Sequence, residues 1–210
     1  MRPLTDHTPK PLLMAGNQPL VVHHLQRLKK AGYDDIVINT HHLGHLIEAA
    51  LGDGSGWNVN VVYSREQPVA LETAGGIAHA LPLLEGPLFL VINGDIWCEH
   101  SLTPPSIPSD TLAHLVLVPN PPHHPLGDFS LSEGHLGNPD IDQPAYTFSG
   151  IGWYRPELFS QMTTGPHPLA PLLREAIARG KVTGELYLGP WQDIGTPERL
   201  QALNDILDPS

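Results

Sequence analysis

Apolar residues recur along this chain in two rhythms. Leu20, Val21, Leu25 and Leu28 fall at helical spacing, so Gln18 to Ala31 predicts an amphipathic helix that ends in Lys29-Lys30 and is stopped by Gly32. Leu43 to Leu51, closed by Gly52, and Leu71 to about Leu84 predict two more helices. Between them lie short apolar runs, Ile36 to Asn39, Trp57 to Tyr63 and Leu88 to Asp95, which predict strands. The last run, Leu-Phe-Leu-Val-Ile, has no alternation and therefore reads as a strand buried on both faces; it ends abruptly in Asn93-Gly94-Asp95. Helix and strand alternate, which predicts a parallel sheet with right-handed crossovers, although the chain opens on a loop where such a unit would open on a strand.

Beyond Asp95 prolines break the rhythm. Pro104-Pro105, Pro108 and Pro119 to Pro125 surround one predicted strand, Ala113 to Val118. Gly127 to Leu131 and Ala145 to Tyr154 predict antiparallel strands, the second interrupted by Ser149-Gly150, where backbone can approach a ligand. An amphipathic helix over Ala170 to Arg179, a strand over Val182 to Leu188 and a short strand over Trp191 to Gly195 follow. The final helix starts at Thr196, with Pro197 at its first position. No internal repeat or linker divides the chain, so residues 1–210 are read as one domain.

Composition narrows the function classes. The 210 residues include 40% apolar ones, enough for a core, and no apolar run approaches the roughly 20 residues of a membrane span. A net charge of −11 speaks against nucleic-acid partners, which call for clustered Lys and Arg. Cys98 is the single cysteine, so no intramolecular disulfide forms, and a reducing cytoplasm is expected. Any anionic ligand must be met locally, by a lysine, a metal or backbone N–H groups.

Candidate chemistry sits in a few places. Asp95, at a strand tip where open α/β sheets bind ligands, offers an oxygen ligand for Mg²⁺, and reads equally well as part of a closing turn. Lys10 is held between Pro9 and Pro11, which fixes one cation in one place, although a lone lysine is more often an exposed loop residue. Leu71-Glu72-Thr73-Ala74-Gly75-Gly76 opens a helix with small residues and N–H groups suited to acceptor oxygens; Thr73 reads alternatively as a plain N-cap. Among the 13 histidines, His41 and His45 stand four apart, but Gly44 lies between them and no third ligand is near in sequence. Cys98 reads as packing, and Ser149 has neither a nucleophile elbow nor an ordered base.

Taken together, Pro3-Leu4-Thr5, Pro9-Lys10-Pro11, Leu71 to Gly76, Asn93-Gly94-Asp95, Ser149-Gly150 and Trp191-Gln192-Asp193-Ile194-Gly195-Thr196 resemble, in the right order, the sugar-1-phosphate nucleotidylyltransferase family. The resemblance runs from Arg2 to about Leu207. Leu-Glu-Thr-x-Gly-Gly, Gly127-Asp128-Phe129 and Thr147 to Ile151 look most like the family's uridylyltransferases for N-acetylmuramic acid 1-phosphate. It implies an α/β, Rossmann-like, three-layer nucleotide-diphospho-sugar transferase fold with a mixed, mostly parallel sheet, residues 1–100 forming the nucleotide-binding half and 101–210 the sugar-binding half. It implies a reaction of UTP with a sugar 1-phosphate that gives a UDP-sugar and pyrophosphate, in a monomer. Asp95 and Asp193 would hold Mg²⁺, and Lys10 would neutralise phosphate oxygens, Lys10 and Asp95 being the catalytic pair. Lys10, Glu72, Thr73, Ala74, Gly75 and Gly76 would bind the nucleotide, and Gly127, Asp128, Ser149 and Gly150 the sugar. No general base is implied, since a phosphate monoester is already ionised. The alternatives are a nucleotidylyltransferase for glucose, mannose or N-acetylglucosamine 1-phosphate, or a catalytically dead sugar-nucleotide-binding module.

The pattern departs from the family twice. A Glu-Lys-Pro segment before the second sugar strand is replaced by Gly137-Asn138-Pro139-Asp140. The strand and Leu-Ala-Ala-Gly-x-Gly-x-Arg loop that relatives carry before Met1 to Thr5 are missing, which would leave unpaired ladder groups on two neighbouring strands and remove phosphate-binding N–H groups. The expectation is a chain inactive and poorly folded as written, its start assigned at an internal methionine. Upstream DNA that encodes the glycine-rich loop in frame is the expected finding; a stop codon directly before Met1 contradicts it.

Overall fold

The computed structural model describes residue 1, residues 3–139 and residues 143–208; Arg2 and Asp140, named above, lie outside them. In chain order the strands and helices are β1 (Met14–Ala15), β2 (Gln18–Pro19), α1 (Leu20–Lys30), β3 (Asp35–Thr40), α2 (Gly44–Leu51), β4 (Asn60–Arg65), α3 (Glu72–Ala80), β5 (Phe89–Ile92) and β6 (Ile96–Cys98). There follow β7 (Ala113–Val118), β8 (Phe129–Ser132), β9 (His135–Gly137), β10 (Ala145–Tyr154), α4 (Leu169–Ala178), β11 (Val182–Leu186), β12 (Trp191–Asp193) and α5 (Pro197–Leu207). They fall into two compact units, the first comprising Met1–Ala70, Gly94–Thr103 and Pro190–Ser210, the second Leu71–Asn93 and Pro104–Gly189.

The first unit has two apolar clusters, and α1 serves both. Val21, Val22 and Leu25 pack with Ile47 and Leu51 of α2 and with Val59 and Val61 beside and within β4. Leu20 packs instead with Leu13, Ala15, Ile194, Leu200 and Leu203. The apolar stripe of α1 is thus wide enough to face two neighbours. β3 and β4 pair in parallel from Asp35 opposite Asn60 to Thr40 opposite Arg65, and β6 and β12 pair antiparallel. β1 and β2 form a hairpin around Gly16, whose φ of 64° only glycine adopts freely.

The second unit holds a six-stranded sheet in the order β5-β10-β7-β11-β9-β8, with β8 pairing back onto β10. Its core joins Phe89, Leu115, Leu117 and Tyr154 from the strands to Ile77 of α3 and Leu173 and Ile177 of α4. Gly184 is small because a Cβ there would come 2.6 Å from the Leu115 carbonyl oxygen.

Several expectations are corrected. The sheets are mixed, but among the described residues parallel pairing is confined to β3–β4 and β7–β11, because the second half of the chain returns through hairpins. One such hairpin joins β8 to β9 through Glu133-Gly134, both with positive φ, and was not expected from the sequence. β5 is buried at Phe89 only, with Leu90, Val91 and Ile92 part-exposed. It ends the six-strand order, and β3 has β4 on one side alone, so each carries one ladder edge without a strand among the described residues. β4 starts at Asn60 because Trp57 belongs to a 3₁₀ turn flanked by left-handed Gly54 and Asn58. α3 ends at Ala80, where Pro82 enforces a 3₁₀ turn.

His24 of α1 is buried, and neither ring nitrogen reaches a hydrogen-bonding partner at normal geometry among the described residues. Burial, reinforced by the charges of Arg27 and His23, lowers its pKa from 6.5 to about 4, an effect the Asp95 carboxylate and the Ile96 main chain offset only in part. Between those two values the unfolded chain binds a proton that the folded chain refuses, so stability falls as pH drops through this window, by at most about 1.4 kcal/mol per pH unit. Denaturant titrations at pH 7 and pH 5 should therefore show a larger loss for the wild type than for His24→Leu. Equal losses would contradict this reading of His24.

Candidate active site

The site residues of the first unit are assembled by one short ladder. Trp191 pairs with Cys98, Gln192 with Trp97 and Asp193 with Ile96. The ladder extends one step further, because the Ile194 N–H donates to the Asp95 carbonyl oxygen at 2.7 Å. Asp95 and Asp193, far apart in sequence, thereby occupy diagonal positions on adjoining backbone. Ile194, fully buried, anchors this end of the ladder in the cluster with Leu13, Leu20 and Leu203.

Each of these carboxylates meets one cation. Lys10 Nζ lies 2.8 Å from Asp95 Oδ2, both side chains being about one-third exposed. The lysine opens a 3₁₀ turn, Lys10–Leu12, with Pro9 before it and Pro11 within it. Gly94 lies beside that turn, where a Cβ would make only ordinary contact with Pro11. Lys10 and Asp95, named separately from the sequence, are thus brought into direct contact.

Arg199 meets Asp193, with Nη1 at 3.1 Å from Oδ1 and 3.0 Å from Oδ2. Sequence reasoning missed this arginine. The available signal was a cation in the first turn of a helix, an end that ordinarily favours anions. Thr196 caps that helix as expected, its hydroxyl accepting the Arg199 N–H at 3.3 Å.

The remaining candidates lie in the second unit. Glu72 and Thr73 are exposed, whereas Ala74, Gly75 and Gly76 are buried. The N–H groups of Ala74 and Gly75 both donate to the His167 carbonyl oxygen, at 2.9 and 3.1 Å, so these two are already satisfied. Gly75 is small for packing, since a Cβ would come 2.5 Å from the Gly165 oxygen. Thr73 is not the N-cap, a position taken by Leu71, and Glu72 holds φ at 57°, a left-handed conformation that costs a non-glycine residue about 1 kcal/mol.

Gly127, Asp128, Ser149 and Gly150 form a connected backbone arrangement. Asp128 Oδ2 accepts the Phe148 N–H at 2.8 Å, and Oδ1 faces His124 Nε2 at 3.1 Å. Gly127, at φ 65°, has Asn120 Oδ1 where a Cβ would sit. The register of β10 against β7 shifts between Phe148 and Gly152, a bulge that contains Ser149 and Gly150. There the Ser149 side chain turns inward, its hydroxyl accepting the Ile151 N–H at 3.2 Å, and the Gly150 carbonyl oxygen accepts the Asn93 N–H at 2.8 Å. His41 Nδ1 lies 2.8 Å from the Glu66 carbonyl oxygen.

Residues 1–107 match the model of the nucleotidyl transferase family. A relative from Neisseria meningitidis serogroup B, named N-acetylmuramate alpha-1-phosphate uridylyltransferase, is 50% identical over 208 residues, covering 96% of this chain and 90% of its own. The chain belongs to the nucleotidyl transferase family. A Caulobacter vibrioides protein of the same name is 34% identical, covering 94% of this chain and 88% of its own. Among solved structures, a Bacillus anthracis protein in complex with sucrose superposes with a TM-score of 0.84 over 99% of this chain and 89% of its own, at 22% identity. HddC from Yersinia pseudotuberculosis gives 0.75 over 96% and 91%, at 19% identity. The fold of this nucleotidyl transferase is therefore the nucleotide-diphospho-sugar transferase fold.

Because the Lys10–Asp95 pair is substantially solvated, it contributes little to stability, about 1 kcal/mol or less. Asp95→Asn is expected to leave the denaturation midpoint nearly unchanged. A loss of about 3 kcal/mol or more, of the size seen for a buried pair, would make Asp95 a structural residue first.

Proposed function

We propose that this nucleotidyl transferase joins UTP and N-acetylmuramic acid 1-phosphate to give UDP-N-acetylmuramic acid and pyrophosphate, with Mg²⁺ held by Asp95 and Asp193. The observation that carries the choice of substrates is the 50% identity to the N. meningitidis uridylyltransferase over nearly the whole of both chains. The product is a peptidoglycan precursor, so the reaction belongs to cell-wall recycling in the cytoplasm, and we read the chain as a monomer.

Two carboxylates and no thiolate or imidazole make a hard oxygen donor set, the kind that suits Mg²⁺ with several of its waters retained. When bound there, the cation supplies charge neutralisation at the α-phosphate. The protein does the rest by position. Lys10, fixed between two prolines, offers its ammonium to phosphate oxygens as negative charge builds in the transition state. The sugar phosphate attacks in line with the leaving pyrophosphate and needs no deprotonation, so orientation and charge management dominate. Glu72 and Thr73, the exposed members of the α3 start, address the base and ribose. The β10 bulge and Gly127 present main-chain groups to the sugar, while Asp128 stabilises the strand that carries them.

A second reading, transfer to another hexose 1-phosphate, is favoured by the 35% identity to the Mycobacterium tuberculosis mannose-1-phosphate guanylyltransferase, which extends over only 46% of this chain. Pyrophosphate release by the protein, measured with a panel of nucleoside triphosphates and sugar phosphates, separates the two. The expected preference is UTP with N-acetylmuramic acid 1-phosphate, strictly dependent on Mg²⁺. Asp95→Ala and Asp193→Ala should each lower the rate by about two orders of magnitude or more, the scale of losing one preorganised charge contact. Binding of UDP-sugars without any turnover would show a sugar-nucleotide-binding module instead.

A further inference from the structure

Arg199 stands where helix electrostatics disfavour it. Thr196 is the N-cap of α5 and Pro197 its first residue, so Arg199 occupies the third helical position, in the turn whose field repels cations. Its backbone is held at both ends: the N–H bonds Thr196 Oγ1 at 3.3 Å, and the carbonyl oxygen accepts from Gln192 Nε2 at 2.7 Å. With the main chain pinned, only side-chain rotation moves the guanidinium. That side chain folds back over Gly195, where a Cβ would collide with the guanidinium and come 3.1 Å from Asp193 Oδ2. A side chain at 195 would push the guanidinium aside, so glycine leaves the Arg199–Asp193 contact unobstructed.

The partner of this arginine is the carboxylate assigned above to Mg²⁺. A guanidinium at 3.1 Å from Oδ1 and 3.0 Å from Oδ2 acts as a competitor for any arriving cation, in a pair only 25% and 29% exposed and so less solvated than Lys10–Asp95. Cations are scarce in this chain, 11 Lys and Arg against 22 Asp and Glu, and a triphosphate brings several negative charges to the site.

We propose that Arg199 is an exchangeable counter-ion: it holds Asp193 while no nucleotide is bound, and on arrival of a metal–triphosphate it passes to oxygens of the β- and γ-phosphates, the pyrophosphate that will leave. This rests on the reading of Asp193 as a metal ligand. Arg199 then keeps the carboxylate poised against free divalent cation and stabilises the leaving group, two tasks performed by one side-chain rotation.

The test is a pair of binding measurements on the full chain, Mn²⁺ followed by electron paramagnetic resonance without nucleotide, and pyrophosphate followed by calorimetry at saturating Mn²⁺. Arg199→Gln is expected to bind Mn²⁺ roughly three- to tenfold more tightly, as expected from removing a part-exposed competing ion pair. The same variant should bind pyrophosphate roughly tenfold more weakly, with Arg199→Lys recovering part of that loss as a charge-assisted contact would. Mn²⁺ affinity unchanged or weakened in Arg199→Gln, or pyrophosphate affinity unchanged, overturns the proposal and leaves a structural clamp. If Arg199→Gln unfolds, Arg199→Met, which keeps the alkyl stem over Gly195, is held to the same two outcomes. Asp193→Asn separates the underlying reading: if it retains wild-type Mn²⁺ affinity, the metal assignment itself fails, whatever Arg199 does.

Discussion

Two acidic residues on adjoining backbone, each held by a cation, organise the first unit. The antiparallel contact of β6 with β12 sets Asp95 next to Ile194 and one residue from Asp193. A cation answers each carboxylate, Lys10 from a proline-flanked turn and Arg199 from the first turn of α5. Much of the local sequence follows from this arrangement. Gly195 leaves the guanidinium unobstructed, and Thr196 starts the helix that carries it. The cluster of Leu13, Ala15, Leu20, Ile194, Leu200 and Leu203 fixes all three chain segments to each other. Its apolar burial fixes the positions of charged groups whose own pairing contributes little to stability.

The second unit uses main chain where the first uses charge. The Ser149–Gly150 bulge interrupts the ladder between β10 and β7, and Asp128 ties the strand beside it through the Phe148 N–H. Gly75 and Gly127 are small because neighbouring backbone or amide groups occupy the space of a Cβ. Glycines there are explained by close approach within the protein.

Much of this was legible in the sequence. Ala113–Val118 and Ala145–Tyr154 were bounded correctly because each is an apolar-rich run set off by proline- or glycine-rich stretches. The start of α5 was equally clear, since Thr before Pro is a strong cap signal. The ordered motifs identified the family, and Lys10, Asp95 and Asp193 lie together in one unit. What was not legible depends on contacts between distant residues. The pairing of β6 with β12 joins three-residue strands too short to show a period. The partial exposure of β5 reflects its place at a sheet end, a property of topology and not of its own residues. The Glu133-Gly134 hairpin lacked the usual Asn-Gly signal. Arg199 carries no motif that points to Asp193, and the satisfied N–H groups of Ala74 and Gly75 depend on where His167 folds.

The central claim is that Asp95 and Asp193 act as one divalent-cation seat created by the β6–β12 ladder. A double-mutant cycle in Mn²⁺ affinity over wild type, Asp95→Asn, Asp193→Asn and the double variant tests it most directly. A shared seat predicts strong coupling: each single change removes most of the affinity, and the double change costs little more than either alone. Independent effects that simply add, or single variants that bind Mn²⁺ as the wild type does, would contradict it.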